Sequence, residues 1–74
     1  MEKILQILEN IQPGVDYINE TALIDDGLLD SLNVVSIVVD LNEEFGIKIS
    51  VSDLEPENFN SAAAIGALVD RLKK

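Results

Sequence analysis

The fifteen residues from Ser31 to Phe45, SLNVVSIVVDLNEEF, restrict the fold more than any other stretch. Val34, Val35, Val38 and Val39 are β-branched and favour a strand locally. The length argues against one, because strands usually run about 3–10 residues. The spacing argues for a helix. With Leu32 at zero on a wheel of about 100° per residue, Val34, Ile37, Val38, Leu41 and Phe45 fall between about 140° and 240°. That arc is an ordinary core-facing side. Gly46 is a suitable terminator.

The same helix carries a second apolar stripe. Leu32, Val35 and Val39 fall between about 300° and 360°, and Asn33, Ser36, Asp40, Glu43 and Glu44 fill the rest. Two readings are open. The loop before the helix covers the stripe with Ile24, Leu28 or Leu29, or the stripe is a docking surface ringed with acids.

The rest of the chain reads as further helices. Ile4, Ile7, Leu8 and Ile11 have the i, i+3, i+4, i+7 spacing of one buried face, and Pro13-Gly14 ends that helix. The connection from about Gln12 to Asp30 is long and apolar, so it is expected to lie over the helices, with a turn at Asp25-Asp26-Gly27. Ile47, Ile49 and Val51 alternate as in a short extended piece. Ser52-Asp53-Leu54-Glu55 has the form of a capping box, which predicts one helical turn kept short by Pro56. Ser61 then caps a last helix with Ile65, Leu68, Val69 and Leu72 on one face. Arg71, Lys73 and Lys74 sit at its end, where the helix dipole favours them. The predicted fold is all-α: a single domain over residues 1–74, a small bundle of three main helices plus one short helix, with a long loop between helices one and two.

Composition narrows the function. A chain of 74 residues without cysteine has one small core and no disulfide. The start, MEKILQILENIQPG, is helical in period and not a signal peptide, and no apolar run approaches the roughly 18 residues of a membrane span. These features read as a soluble, cytoplasmic protein. Five basic against fourteen acidic residues give a net charge of −9. That charge disfavours nucleic acid and anionic membranes, and suits either basic partner surfaces or simple solubility. There is no His or Cys, so Ser/His and Cys/His nucleophile pairs and common zinc sites are excluded. A calcium loop counted from Asp25 fails, because its third and twelfth positions are Gly27 and Ser36.

Ser31 stands at the mouth of helix two, where free backbone N–H groups favour a phosphate, and no base in the chain activates it. The Asp30-Ser31 pair alone is equally a helix cap. The wider stretch is more specific. GLLDSL, from Gly27 to Leu32, precedes an apolar and acidic helix that ends NEEFGIKI. Together with helix one, the long loop and the final helix, it resembles the acyl carrier protein family over nearly the whole chain.

The resemblance implies a non-catalytic helical carrier. A 4′-phosphopantetheine arm from coenzyme A would be attached to Ser31 by a phosphopantetheinyl transferase. Its thiol would hold an acyl or aminoacyl group as a thioester. Asp30 would be the adjoining acid that meets the transferase or its magnesium. Leu32, Val35 and Val39, with Asp40 and Glu43 on the acidic side, would meet partner enzymes. These partners are the transferase, a loading ligase and a downstream synthase or transferase, with the carrier acting as a monomer. A chain without cysteine offers a thiol only through such a group. The competing class is an unmodified helical interaction module in which Ser31 is a plain cap.

Fatty-acid carriers usually have acids where this chain has Asn33 and Ser36. GLLDS and SDLEPENFNS look more like stand-alone D-alanyl or peptidyl carriers. The motif does not name the cargo. The small side chains of Val34 and Val38, with Leu41, Ile65 and Leu68, are compatible with a space for cargo or with close packing.

Overall fold

Helix α1 spans Glu2–Ile11 and buries Ile4 and Leu8, with Ile7 and Ile11 packed at the margin of the core. Helix α2 spans Ser31–Phe45, a 3-10 turn spans Val51–Asp53, helix α3 spans Pro56–Phe59 and helix α4 spans Ala62–Leu72. This computed structural model describes residues 1–73. Lys74, expected at the end of the last helix, lies outside the described residues. Among the described residues every regular element is helical, as the periodicity predicts. Helix α1 packs against both α2 and α4, and α3 packs against α4.

The core is one cluster. Ile37 and Leu41 from α2, Ile65 and Leu68 from α4, Leu8 from α1 and Phe59 from α3 are all fully buried. Each such side chain contributes on the order of 1.5–3 kcal/mol. Helix α2 stops where Gly46 takes the left-handed conformation, φ 63°, which is costly for a residue with a Cβ.

The connection over residues 12–30 lies on this core. Tyr17, Leu23 and Leu29 are buried, and Val15, Ile24 and Leu28 pack beside them. The Tyr17 hydroxyl donates to the Gln12 carbonyl and lies 3.2 Å from the Leu8 carbonyl, so it closes the end of α1. Ile18 departs from the pattern and is 80% exposed. It sits in a turn closed by Asn19 Nδ2 donating to Asp16 Oδ2 at 2.9 Å, and Tyr17 takes the inward position there.

Two expectations for the segment after α2 are corrected. The short extended piece read over Ile47, Ile49 and Val51 stops before Val51, which enters the 3-10 turn, and it pairs with no strand among the described residues. Asn42 takes their donors instead: its carbonyl accepts from the Ile47 N–H at 3.3 Å, and its side chain accepts from the Ile49 N–H at 3.0 Å. Ile49 is buried, whereas Val51 is exposed and begins the 3-10 turn. The capping pair is also not Ser52 with Glu55. Asp53 Oδ2 accepts from the Ser50 N–H and hydroxyl at 3.1 and 3.0 Å, and the Ser52 hydroxyl pairs with that of Ser50 at 2.8 Å. Pro56 starts α3 at its first position, where a fixed φ and a missing N–H do no harm.

Ser61 caps α4 as expected: its Oγ accepts from the Ala64 N–H at 3.0 Å. Ile65, Leu68 and Val69 are buried on the face read from sequence, and Leu72 packs beside them. Near the end of α4, Arg71 donates to Asn58 Oδ1 at 3.4 Å, and Lys73 Nζ lies 5.7 Å from the Phe45 ring centre.

Candidate functional site

The start of α2 is built by two side chains facing each other across one turn. Asp30 has extended backbone, φ −104° and ψ −176°, and its Oδ1 accepts from the Asn33 N–H at 2.8 Å. Asn33 Oδ1 returns the bond, accepting from the Asp30 N–H at 3.0 Å. This is a reciprocal capping box with an amide in the place usually held by Glu or Gln. Asp30 is therefore the cap, and Ser31 is the first residue of the helix. The Ser31 hydroxyl takes no part in the capping pair, and Ser31 is exposed.

The loop that delivers Ser31 is pinned from far along the chain. Asn60 Oδ1 accepts from the N–H groups of Ile24 and Asp25 at 2.9 and 3.1 Å. Asn60 Nδ2 donates to Asp25 Oδ2 at 3.2 Å, and the Asn60 carbonyl accepts from the Leu23 N–H at 2.9 Å. Gly27 then turns with φ 74° and donates to the Ile24 carbonyl at 3.0 Å. Leu29 is buried one residue before Asp30. Asn60 thus ties the loop to the junction of α3 and α4.

Asp30 and Ser31 open onto a groove of about 540 Å³. Val34 and Val35 of α2 form one wall, and Leu54 and Pro56 form the other. The buried Leu29 and Phe59 lie beneath. The groove is an open surface feature, while Ile37, Leu41, Ile65 and Leu68 fill the core behind it.

The second apolar stripe is not covered by the loop. Leu32 is 77%, Val35 58% and Val39 49% exposed. The loop residues that could have covered them turn inward: Leu29 is in the core, and Ile24 and Leu28 pack against it. Asp40 and Glu43 continue the same exposed helix and, with Glu44, flank a cleft against Ile7 and Asn10 of α1. Glu44 pairs with Lys3 at 3.4 Å, between exposed side chains. The fold therefore places Asp30, Ser31, Leu32, Val35, Val39, Asp40 and Glu43 along one helix, apolar near Ser31 and acidic beyond it.

Ser31 lies in an open setting. The hydroxyl is exposed, no acid stands in the first turn of α2, and the adjoining groove is mostly apolar. Asp30 already occupies the Asn33 N–H, so the N–H groups of Ser31 and Leu32 are the ones left at the helix mouth. Sequence reading missed the groove's far wall at Leu54 and Pro56, and it missed Asn60. The wall follows the misread segment after Ile47, and the partners of Asn60 are 35 and 36 residues away.

Comparison with known proteins gives the family of the chain. The family profile described as "Phosphopantetheine attachment site" matches residues 3–72. The D-alanyl carrier protein of Enterococcus faecalis (strain ATCC 700802 / V583) is 34% identical over 74 residues, covering 97% of this chain and 95% of the relative. That of Lactococcus lactis subsp. lactis (strain IL1403) is 32% identical over 75 residues, covering 97% and 94%. That of Listeria monocytogenes serovar 1/2a (strain ATCC BAA-679 / EGD-e) is 30% identical over 74 residues, covering 97% and 95%.

Proposed function

The chain belongs to the phosphopantetheine attachment site family, and from that premise we propose that Ser31 bears the arm and that the cargo is an aminoacyl group, D-alanine first among the candidates. Family membership makes it a carrier with a covalent 4′-phosphopantetheine group and no catalysis of its own. That group supplies a terminal thiol on which cargo is held as a thioester. The observation that carries the assignment of Ser31 is the division of labour at α2. Asp30 and Asn33 cap the helix, so the neighbouring exposed hydroxyl is left without a structural task there.

The chain's own residues position and present. Asp30 precedes Ser31 and has one carboxylate oxygen that the capping box does not use, suited to a magnesium ion brought by the transferase. Leu32, Val35 and Val39 give partner enzymes an apolar contact, and Asp40 and Glu43 favour basic surfaces and fast encounter. The partners by chemistry are a phosphopantetheinyl transferase, a ligase that activates the amino acid and an enzyme that accepts it. The carrier acts as a monomer in the cytoplasm; none of its described helices is long and apolar enough to cross a membrane.

The aminoacyl reading is supported by the similarity to D-alanyl carrier proteins. It is also supported by a filled core and an open groove beside Ser31, which suit a small cargo better than a long enclosed chain. The test is competitive loading of the arm-bearing protein by a D-alanine-activating ligase with ATP, read by mass. D-alanyl thioester on the wild type supports the reading. Loading only by a fatty-acyl ligase would assign the carrier to acyl transfer instead.

A further inference from the structure

We propose that Asn33 is a positioning residue for modification of Ser31, because its reciprocal bonds with Asp30 engage one carboxylate oxygen of the residue that precedes the serine and leave the other to meet a cation. The inference rests on Ser31 being the attachment residue and adds a role to a neighbour that touches neither the arm nor its donor.

The geometry is specific. Asp30 Oδ1 is engaged by the Asn33 N–H at 2.8 Å, and the Asp30 N–H is engaged by Asn33 Oδ1 at 3.0 Å. The first bond fixes the carboxylate relative to the helix axis. The second fixes the backbone from which that carboxylate projects, extended at φ −104° and ψ −176°. A free exposed aspartate samples several staggered rotamers. Asp30 is exposed, yet the box selects one of them. Asp30 and Ser31 both line one groove, so this choice of rotamer sets where a cation carried into that groove meets the serine.

In the reaction, Ser31 Oγ forms a bond to the phosphorus of coenzyme A that bears the pantetheine. The pyrophosphate P–O bond breaks, and adenosine 3′,5′-bisphosphate leaves with the bond's electron pair. The hydroxyl proton passes to a base on the transferase. Asp30 would help hold a magnesium ion brought by the transferase, which would offset charge on the pyrophosphate. A carboxylate held in place meets that ion without first losing rotamer freedom, and outer partners that orient a ligand commonly change metal affinity or activity by about tenfold or more.

The experiment compares wild type, Asn33→Ala and Asn33→Asp in coenzyme A-dependent modification by a broad-specificity transferase, titrated with magnesium chloride and read by intact mass. The Asp30 side-chain couplings are measured in parallel by NMR on the unmodified proteins. Asn33→Asp keeps an acceptor for the Asp30 N–H, whereas Asn33→Ala removes it. The expected result is a rise of about tenfold in half-saturating magnesium for Asn33→Ala, with rotamer-averaged Asp30 couplings and recovery of rate at high magnesium. Asn33→Asp is expected to keep wild-type couplings and show no rise. A folded Asn33→Ala with unchanged magnesium dependence, or with a single Asp30 rotamer retained, overturns the proposal and leaves Asn33 as a cap alone. An Asn33→Ala that does not fold leaves the decision to Asn33→Asp, which overturns the proposal if its magnesium requirement rises. Failure of the wild type to be modified at all overturns the attachment site itself, and is distinguishable because it precedes any comparison of variants.

Discussion

Asp30 and Asn33 hold each other across the first turn of α2, each side chain accepting from the other's backbone N–H at 2.8 and 3.0 Å. Because these two residues satisfy the helix start, Ser31 between them is free of that task. Changing the Ser31 side chain therefore leaves the cap intact, whereas changing Asp30 or Asn33 disturbs it.

Asp30→Ala removes the cap and should destabilise the fold by about 1 kcal/mol. Ser31→Ala changes an exposed residue outside the capping pair and should stay within about 0.5 kcal/mol of wild type. Urea unfolding of both variants checks the division. A larger loss for Ser31→Ala than for Asp30→Ala would return the capping role to the serine.

Asn60→Ala should be among the costlier polar substitutions. It removes the acceptor for the Ile24 and Asp25 N–H groups and the donor to Asp25. Leaving the partly buried Ile24 donor unpaired costs about 1–3 kcal/mol, and the exposed Asp25 bonds add less. In a domain of this size, each kcal/mol lowers the melting temperature by about 4–8 °C. Thermal unfolding gives the answer, and hydrogen exchange at Ile24 should accelerate in step.

The stripe at Leu32 and Val35 should matter to partners and not to folding. Both side chains are exposed. Leu32→Ser with Val35→Ser should leave the melting temperature nearly unchanged and lower the transferase's kcat/KM by about tenfold, the loss of one modest interface anchor. Equal kcat/KM for the double variant would move the docking surface elsewhere.

Tyr17 gives the fold an alkaline limit. Burial raises its hydroxyl pKa above the ordinary 10.0, and the nearby Glu9 carboxylate adds to the rise. The unfolded chain therefore loses this proton at lower pH than the folded one. The stabilisation is fully present below pH 10 and is lost as pH rises toward the folded value. Tyr17→Phe should show a weaker decline in stability above pH 10 than wild type, measured by urea unfolding at stepped pH.

What the sequence disclosed depends on how far apart the interacting residues lie. The bounds of α2 were legible because the Asp30-Ser31 pair and Gly46 act within a turn of the helix ends. The exposed stripe was legible as a second arc on the wheel, although whether the loop covered it depended on Ile24, Leu28 and Leu29 turning inward. The segment after Gly46 misled because Asn42, within the preceding helix, captures the donors that an extended strand would have offered to a neighbour. Asn60 carried no local signal at all, since its partners lie at Leu23, Ile24 and Asp25. Asn33 was visible only as a neutral residue where an acid is common, and its bond to Asp30 gives that difference a physical meaning.

The most direct measurement is the intact mass of wild type and Ser31→Ala after incubation with coenzyme A, magnesium and a broad-specificity phosphopantetheinyl transferase, with both proteins shown to be folded. The predicted result is a gain of one phosphopantetheine on the wild type and none on the variant. A gain on Ser31→Ala equal to that of the wild type would contradict the account and place the arm on another residue.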